Sequence, residues 1–306
     1  MTAHYPRMAF IGPGRVGRGL AFAFKQAGVD VVGYAGRAGS TPPADNLLDG
    51  IPPLQMAEAL AKAEWIWLTV PDDQIKPVCD ALPWQPHHVA VHCSGATPLD
   101  ALSSAGAAGA ARVGFHPIQI FSQPIIAARH LEGTSVGIEI NLNESPHHAS
   151  RLSAVTDCAN RLAVGVSMLP LAIEPGQRAL YHAGAGFAAS ALVSVLAEAL
   201  DLWASAGIPP AQALNALLPL ARTSLLSFES AVSSGALDAA VAGPIARGDL
   251  GVIESHLSAF DKKSIDPALY CVIALKQVAL MARGDRLTAE TLAAMAQRLT
   301  RSSASG

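Results

Sequence analysis

Aromatic residues make up only 5% of this chain and charged residues 15%, with a formal net charge of −3. So sparse and balanced a charge set leaves no basic field for nucleic acid. Any anion must be held by a few placed residues and by backbone amides. Cysteine is scarce too. The four, at 79, 93, 158 and 271, form no C-x-x-C pair. That argues against a zinc site and for free, mostly buried thiols in a reducing compartment. The longest apolar stretch, near Ala183 to Ala199, is Ala/Ser-rich and interrupted at Glu198, which makes a poor membrane span. The N-terminus reaches Gly12 with no signal-type apolar region. These absences predict a soluble, cytoplasmic protein without nucleic-acid or membrane partners.

What is present is half hydrophobic, dominated by Ala and Leu, in a chain of 306 residues, which suits two domains rich in close-packed helix. From Arg7 to about Ile173, apolar runs alternate with helical stretches. The runs are Met8 to Ile11, Val29 to Tyr34, Trp65 to Val70, Val89 to His92, Arg112 to Phe115, Thr134 to Ile140 and Val164 to Leu171. Continuous apolarity and alternation with helices predict a doubly wound, mostly parallel α/β sheet. Beyond Glu174-Pro175-Gly176 only helices follow. One apolar stripe runs from Phe187 through Leu192, Val195 and Leu196 to Trp203, another through Leu214, Leu217, Leu218, Ala221 and Leu225. Gly207 stops the first helix and Pro209-Pro210 starts the next. Later helices are expected over 248–260, 267–282 and 288–299, with a disordered tail from Arg301. The expected division is a nucleotide-binding Rossmann-like domain, 1–172, and an all-α substrate and dimerisation domain, 173–306.

Gly12-Pro-Gly14-Arg-Val-Gly17 is a G-x-G-x-x-G placed directly between an apolar strand and a helical run. Gly12 makes the tight turn, Gly14 admits a pyrophosphate, and Gly17 lets the helix pack on the strand. The amides of Arg15 and Val16 then face the phosphates at the positive end of the helix dipole. The second strand ends at Tyr34-Ala35-Gly36-Arg37 without the Asp or Glu that binds an NAD ribose. Arg37 can pair with a 2′-phosphate and Ser40 can add a hydrogen bond, which favours NADP(H); a solvated surface arginine is the alternative. Val70 and Pro71 leave the carboxyl edge of the sheet, where they are expected to touch the nicotinamide-side ribose. Asp72 is read either as part of that edge or as a helix N-cap.

His92-Cys93-Ser94-Gly95 and Phe115-His116-Pro117 close two strands on the same edge. His116 can act as acid–base and Ser94 can orient the same substrate atom, the alternative for His116 being a structural imidazole. Cys93 has no visible cation to activate it, and Ser94 lacks a G-x-S-x-G elbow. His87-His88 and His147-His148 sit in polar turns and read as solvated. In the helical half, His182 and Arg247 are expected at the interdomain cleft, Arg247 either as a clamp for an anionic group or as one half of an Arg–Asp pair that only stiffens its loop. Asp249 is a candidate N-cap closing the Gly243 to Asp249 loop.

The N-terminal half resembles the superfamily of 6-phosphogluconate dehydrogenase, ketopantoate reductase and pyrroline-5-carboxylate reductase. Leu180-Tyr-His-Ala183, Leu218-Pro-Leu220 and Gly243-Pro-Ile-Ala-Arg-Gly-Asp249 resemble a bacterial family of predicted NADP oxidoreductases whose helical half is a domain of unknown function. That resemblance implies a Rossmann domain followed by a dimerising helical domain. Ser94 and His116-Pro117 are similar to the serine and His-Pro of prephenate dehydrogenases, which contact the reacting ring hydroxyl. Relatives with a catalytic lysine and asparagine on the long helix find no match here, where Tyr181, His182 and Ser190 stand. The expected function is NADP(H)-dependent reduction or oxidation of a small C=O or C=N compound by a homodimer. The alternative is a non-catalytic NADP(H)-binding sensor.

Overall fold

The computed structural model describes residues 5–37, 45–141 and 149–303. Ser40, His147 and His148 lie outside the described residues. Strands β1 (Met8–Ile11), β2 (Val31–Ala35), β3 (Trp65–Leu68), β4 (Val89–His92), β5 (Ala111–Pro117), β6 (Ser135–Asn141) and β7 (Leu169–Ala172) form one sheet in the order β2-β1-β3-β4-β5-β6-β7. The first five are parallel, β6 runs antiparallel to β5, and β7 is parallel to β6. The chain winds outward from β1 to β2, then restarts on the other side at β3. In such sheets ligands bind where that reversal leaves a crevice at the carboxyl ends of the strands.

β1, β3 and β4 are buried at every position, as a strand covered on both faces requires. Alternate residues supply two cores. Met8, Phe10, Trp65, Trp67 and Phe115 face one layer with Phe24, while Ala9, Ile11, Ile66 and Leu68 face the other with Ile75 and Cys79. The few aromatics are concentrated in the first layer. Trp67 has its ring centroid 5.1 Å from both Phe24 and Phe115, and 5.5 Å from Phe10. The helices between strands are α1 (Arg15–Gln26), α2 (Met56–Lys62), α3 (Asp72–Asp80), α4 (Ser103–Ala107), α5 (Pro124–Arg129) and α6 (Ala149–Gly165).

The last strand is shorter than its apolar run suggests. Val164 belongs to α6, whose Cys158, Ala159, Leu162 and Ala163 pack into the first core at helical spacing. The chain turns at Ser167, with φ of +62°, and only then becomes strand.

Contacts divide the chain into two units, Met1–Ala191 and Leu192–Gly306. The expected boundary at 172/173 thus differs from the contact boundary by one helix, α7 (Arg178–Gly186). The reason is Arg178, which is 2% exposed. Its Nε donates to Glu139 on β6 at 2.7 Å, and its Nη1 donates to the Ser94 carbonyl at 2.7 Å. Gly114 on β5, paired with Glu139 across the sheet, gives the guanidinium its space. A Cβ there would lie 2.6 Å from Arg178 Cζ.

A π-helical turn, Phe187–Ala191, leads from α7 into α8 (Leu192–Ser205). The second unit continues through α9 (Pro210–Ser233), α10 (Gly243–Arg247), α11 (Leu250–Lys262), α12 (Ala268–Met281) and α13 (Ala289–Ser303). Arg301, expected in a disordered tail, belongs to α13. Its core is Ile253, Leu257, Cys271, Val278, Met281, Met295 and Leu299. The expected loop at Gly243 is α10, ended by Gly248 at φ +68°, after which Asp249 caps α11 by accepting from Val252 N–H at 3.1 Å. The stripe on α9 is present but uncovered: only Ala213 and Ala231 are buried, while Leu214, Leu218 and Leu225 are exposed.

Breaking a buried ion pair by neutralising one partner strands the other charge and typically costs about 3–5 kcal/mol. Glu139→Gln is therefore expected to lower unfolding free energy by about that amount in chemical denaturation. A loss no larger than that of an exposed pair would contradict the role given to Arg178.

Candidate active site

β1 delivers the chain into Gly12 at φ +97°, a conformation that only glycine adopts without strain. Gly12 N–H donates to Ala35 O and Gly14 N–H to Gly12 O, both at 2.8 Å. Thr69, just past β3, straps this turn down. Its N–H donates to Ile11 O at 2.8 Å and its hydroxyl to Gly12 O at 2.7 Å. A Cβ on Gly12 would lie 2.7 Å from Val70 Cγ1, and one on Gly17 would meet Thr69 Oγ1 and lie 2.6 Å from Gly12 O. The turn is thus too tight for side chains at either glycine. Gly14, by contrast, has nothing nearer than Thr69 O at 3.6 Å.

α1 starts at Arg15 with Gly14 as N-cap, no side-chain cap and no acidic residue in its first turn. The first-turn N–H groups of an α-helix have no intrahelical partner, so this end offers backbone donors and a positive dipole to an anion. Arg15 is exposed and Val16 half-buried beside it. Arg18, one turn on, is 5% exposed and ion-paired with Asp45, its Nε 3.3 Å from Gly14 O. These residues fit a diphosphate: close backbone approach, uncapped donors and no competing carboxylate. Arg37 is exposed just past β2. Val70 is half-buried and Pro71, exposed, is the N-cap of α3.

Asp72 is therefore the first helical residue and not the cap. Its Oδ2 accepts the Ser94 hydroxyl at 2.8 Å. Ser94 Oγ also lies 2.8 Å from Thr97 Oγ1 and accepts Thr97 N–H at 2.9 Å. The hydroxyl expected to orient a substrate is committed to holding its own turn, and Ser94 is 8% exposed.

His116, near the end of β5, is half-buried, and its Nδ1 lies 2.9 Å from Tyr181 Oη of α7. The two rings meet edge to face at 89° with centroids 5.7 Å apart. His182, exposed, has its ring centroid 5.7 Å from that of His116. His116, Ser94, His182 and Tyr181 are thus brought together within the first unit. Arg247 lies in the second unit, exposed at the end of α10.

Burial pulls His116 down to about 4, helped by His182 and Arg178 and opposed by Asp72. His92, at the end of β4, is fully buried, and neither ring nitrogen has a hydrogen-bond partner among the described residues. Burial, Arg178 and His116 hold it down at about 3. Burial pushes the Cys93 thiol up, against the pull of Arg178, which disfavours the thiolate. His88, expected in solvent, is 2% exposed; its Nδ1 accepts Gln85 N–H at 3.0 Å and its Nε2 lies 3.1 Å from Leu60 O.

Sequence reasoning missed Thr69, His92, Glu139 and Arg178, and gave Tyr181 no role. A glycine inside a strand marks close approach by another group. Gly114 and Gly137, the latter with Tyr181 Oη 2.5 Å from where its Cβ would be, carried that signal.

Fold and site together place the chain in the Rossmann-like class, and residues 4–117 match the model of a Rossmann-like domain. More particularly, residues 151–277 match a domain of unknown function, DUF2520, so the chain carries the two domains in that order. A search of the curated proteins found no match. Among solved structures, a Bacteroides fragilis protein described as a presumed NADP oxidoreductase is 20% identical, with a TM-score of 0.63 over 91% of this chain and 98% of its own. Plasmodium falciparum pyrroline carboxylate reductase, solved with NADP bound, is 14% identical, with a TM-score of 0.55 over 97% and 98%. A variant imine reductase from Myxococcus stipitatus, in complex with NAD+, is 15% identical, with a TM-score of 0.60 over 95% and 99%. These likenesses establish a shared fold.

His92 makes the unit acid-sensitive. An unfolded histidine binds its proton below about pH 6.5. The folded ring resists until about 3, so its stabilising effect is full above pH 6.5 and is lost as the pH falls. Acidification from pH 7 to 5 is expected to remove about 2 kcal/mol through His92. Denaturant titrations at both pH values should show the difference shrink by that amount in His92→Asn.

Proposed function

We propose that this chain binds NADP(H) in preference to NAD(H) and uses it in the reduction, or reverse oxidation, of a small C=O or C=N compound. The observation that carries this reading is the glycine turn strapped by Thr69 against the uncapped start of α1. The amides of Gly14, Arg15 and Val16 hold the diphosphate, Arg37 and Ser40 the 2′-phosphate, and Val70 and Pro71 border the nicotinamide-side ribose. The reduced nicotinamide, when bound, supplies a hydride. His116 meets the reacting atom, Ser94 and Thr97 fix the turn beside it, and His182 flanks the same edge. Structural neighbours described as an NADP oxidoreductase, a reductase with NADP bound and an imine reductase in complex with NAD+ support an oxidoreductase. Four free thiols fit a reducing, cytoplasmic setting.

A second copy of the chain is proposed to cover the helices of the second unit. The helical run Arg178–Ser205 is long and apolar enough to cross a membrane by length and composition alone. Its first residue, however, is a buried cation paired with Glu139, and Glu198 and Asp201 interrupt its far end. With α9 burying only Ala213 and Ala231, an apolar face of this extent suits a protein partner better. Sedimentation equilibrium is expected to give a dimer that Leu218→Glu with Leu225→Glu converts to monomer; a monomeric wild type removes the dimer.

Calorimetric titration tests the cofactor. NADPH is expected to bind at least about tenfold more tightly than NADH, about 1.4 kcal/mol, and Arg37→Ala to abolish that preference. Equal affinity for both would defeat the 2′-phosphate reading, and binding without any turnover would favour a sensor.

A further inference from the structure

We propose that Tyr181 and His116 form a directed donor pair, phenol O–H into Nδ1 and Nε2–H outward, and that the group it serves is a carbonyl and not a protonated imine. This rests on the reading of His116 as the group that meets the reacting atom.

The direction follows from the chemistry of the two partners. A phenol is a strong donor and a weak acceptor, whereas the unprotonated nitrogen of a neutral imidazole is a good acceptor. At 2.9 Å the contact between Tyr181 Oη and His116 Nδ1 is therefore O–H···N. With Nδ1 accepting, the ring's single proton sits on Nε2. The pair is locked from outside. Arg178, one turn before Tyr181 on α7, ties that helix to Glu139 and to the Ser94 carbonyl. Tyr181 lies against Gly137, the β6 partner of His116 across the sheet. On the other side of the imidazole stands Gly95, and a Cβ there would be 2.8 Å from Nε2 and 2.7 Å from Cε1. The same Cβ would meet His182 Cδ2, so the Nε2 edge of the imidazole is bordered by a bare backbone and by the His182 ring.

The charges facing His116 are Arg178 and His182 from α7, His92 from β4 and Asp72 from α3, with Tyr181 hydrogen-bonded to it. Burial and the Arg178 guanidinium keep the ring neutral at pH 7, so what it presents is a donor with no positive charge of its own. A protonated imine is itself an N–H donor and offers no acceptor to an outward Nε2–H. A carbonyl oxygen accepts that N–H, and the contact strengthens as negative charge grows on the oxygen. The step balances. As the carbonyl carbon accepts a hydride from the reduced nicotinamide, the C=O π pair moves to oxygen. The oxygen takes the Nε2 proton, and Nδ1 takes the proton of Tyr181. The resulting phenolate lies in the field of Arg178, which opposes the rise that burial imposes on this phenol; a solvent proton then reloads Nε2 as the Nδ1 proton returns to the phenolate oxygen, which restores the pair.

Long-range ¹H–¹⁵N correlation on the full chain, labelled in histidine, reads the pair without substrate or cofactor. The His116 signals are identified by their loss in His116→Asn. At pH 7 His116 is expected as the neutral Nε2–H tautomer, still uncharged at pH 5.5, and Tyr181→Phe is expected to give a tautomer mixture. A neutral Nδ1–H ring, or an imidazolium at pH 7, overturns the pair, and both are visible in wild type whether or not the variant folds. With NADPH, pyruvate and acetophenone stand for carbonyls and 1-pyrroline for imines. Carbonyl turnover, lowered about 10²-fold in kcat by Tyr181→Phe at unchanged KM, is expected. Turnover of 1-pyrroline alone, or of neither class, overturns the carbonyl assignment. Failure to bind dinucleotide strikes the oxidoreductase reading and the carbonyl with it, whereas the wrong tautomer strikes only the donor pair.

Discussion

A guanidinium with almost no water around it sits where three parts of the first unit meet. Arg178 touches β6 through Glu139, the turn after β4 through the Ser94 carbonyl, and the bare backbone of β5 at Gly114. Each partner answers a demand of the charge. The carboxylate neutralises it, the carbonyl takes a second N–H, and the glycine leaves out a side chain that would collide with it. Because none of these partners can shift without stranding a buried cation, α7 has one seat on the sheet. Tyr181 and His182 inherit their positions from that seat. So does the electrostatic character of the neighbouring imidazoles, both of which are held neutral partly by the same cation.

The two halves of the candidate site are built on one edge by different means. At β1 and β3 the backbone does the work: Thr69 binds the glycine turn through main-chain oxygens, and helix α1 presents its first amides without a cap. At β4 and β5 side chains dominate, and they are stacked two deep. His116 turns Nδ1 to Tyr181, while Asp72, Thr97, Arg178 and Glu139 stand around it and Ser94. Ser94 belongs to that supporting layer, because its proton is engaged by Asp72.

Much of this was legible from residue order. The glycine triplet, the apolar runs, the stop at Gly207 and the start at Pro210 are local features, and each marks its element through backbone conformation or periodicity. Placing His116 and Ser94 on one edge needed only the strand ends. What stayed hidden depends on pairs far apart in the chain. Arg178 and Glu139 are separated by 39 positions and Tyr181 and His116 by 65, and no periodicity reports such meetings. The turn histidine at 88 looks solvated in its polar surroundings, yet Leu60 and Gln85 close over it. The α9 stripe shows the converse: an amphipathic pattern tells that a face seeks cover without telling what supplies it.

The sheet ends at β7, whose four residues are all exposed and which carries Leu169 and Leu171 in the open. Leu169 N–H donates to Thr134 O just before β6 and Ile173 N–H to Ile138 O on β6, so residue 170, like 172, points its nitrogen to the free side. That residue is Pro170, which has no N–H to offer. An apolar strand that lacks one of its outward donors is a poorer template for another strand, so one imino acid guards the rim against accretion of further chains.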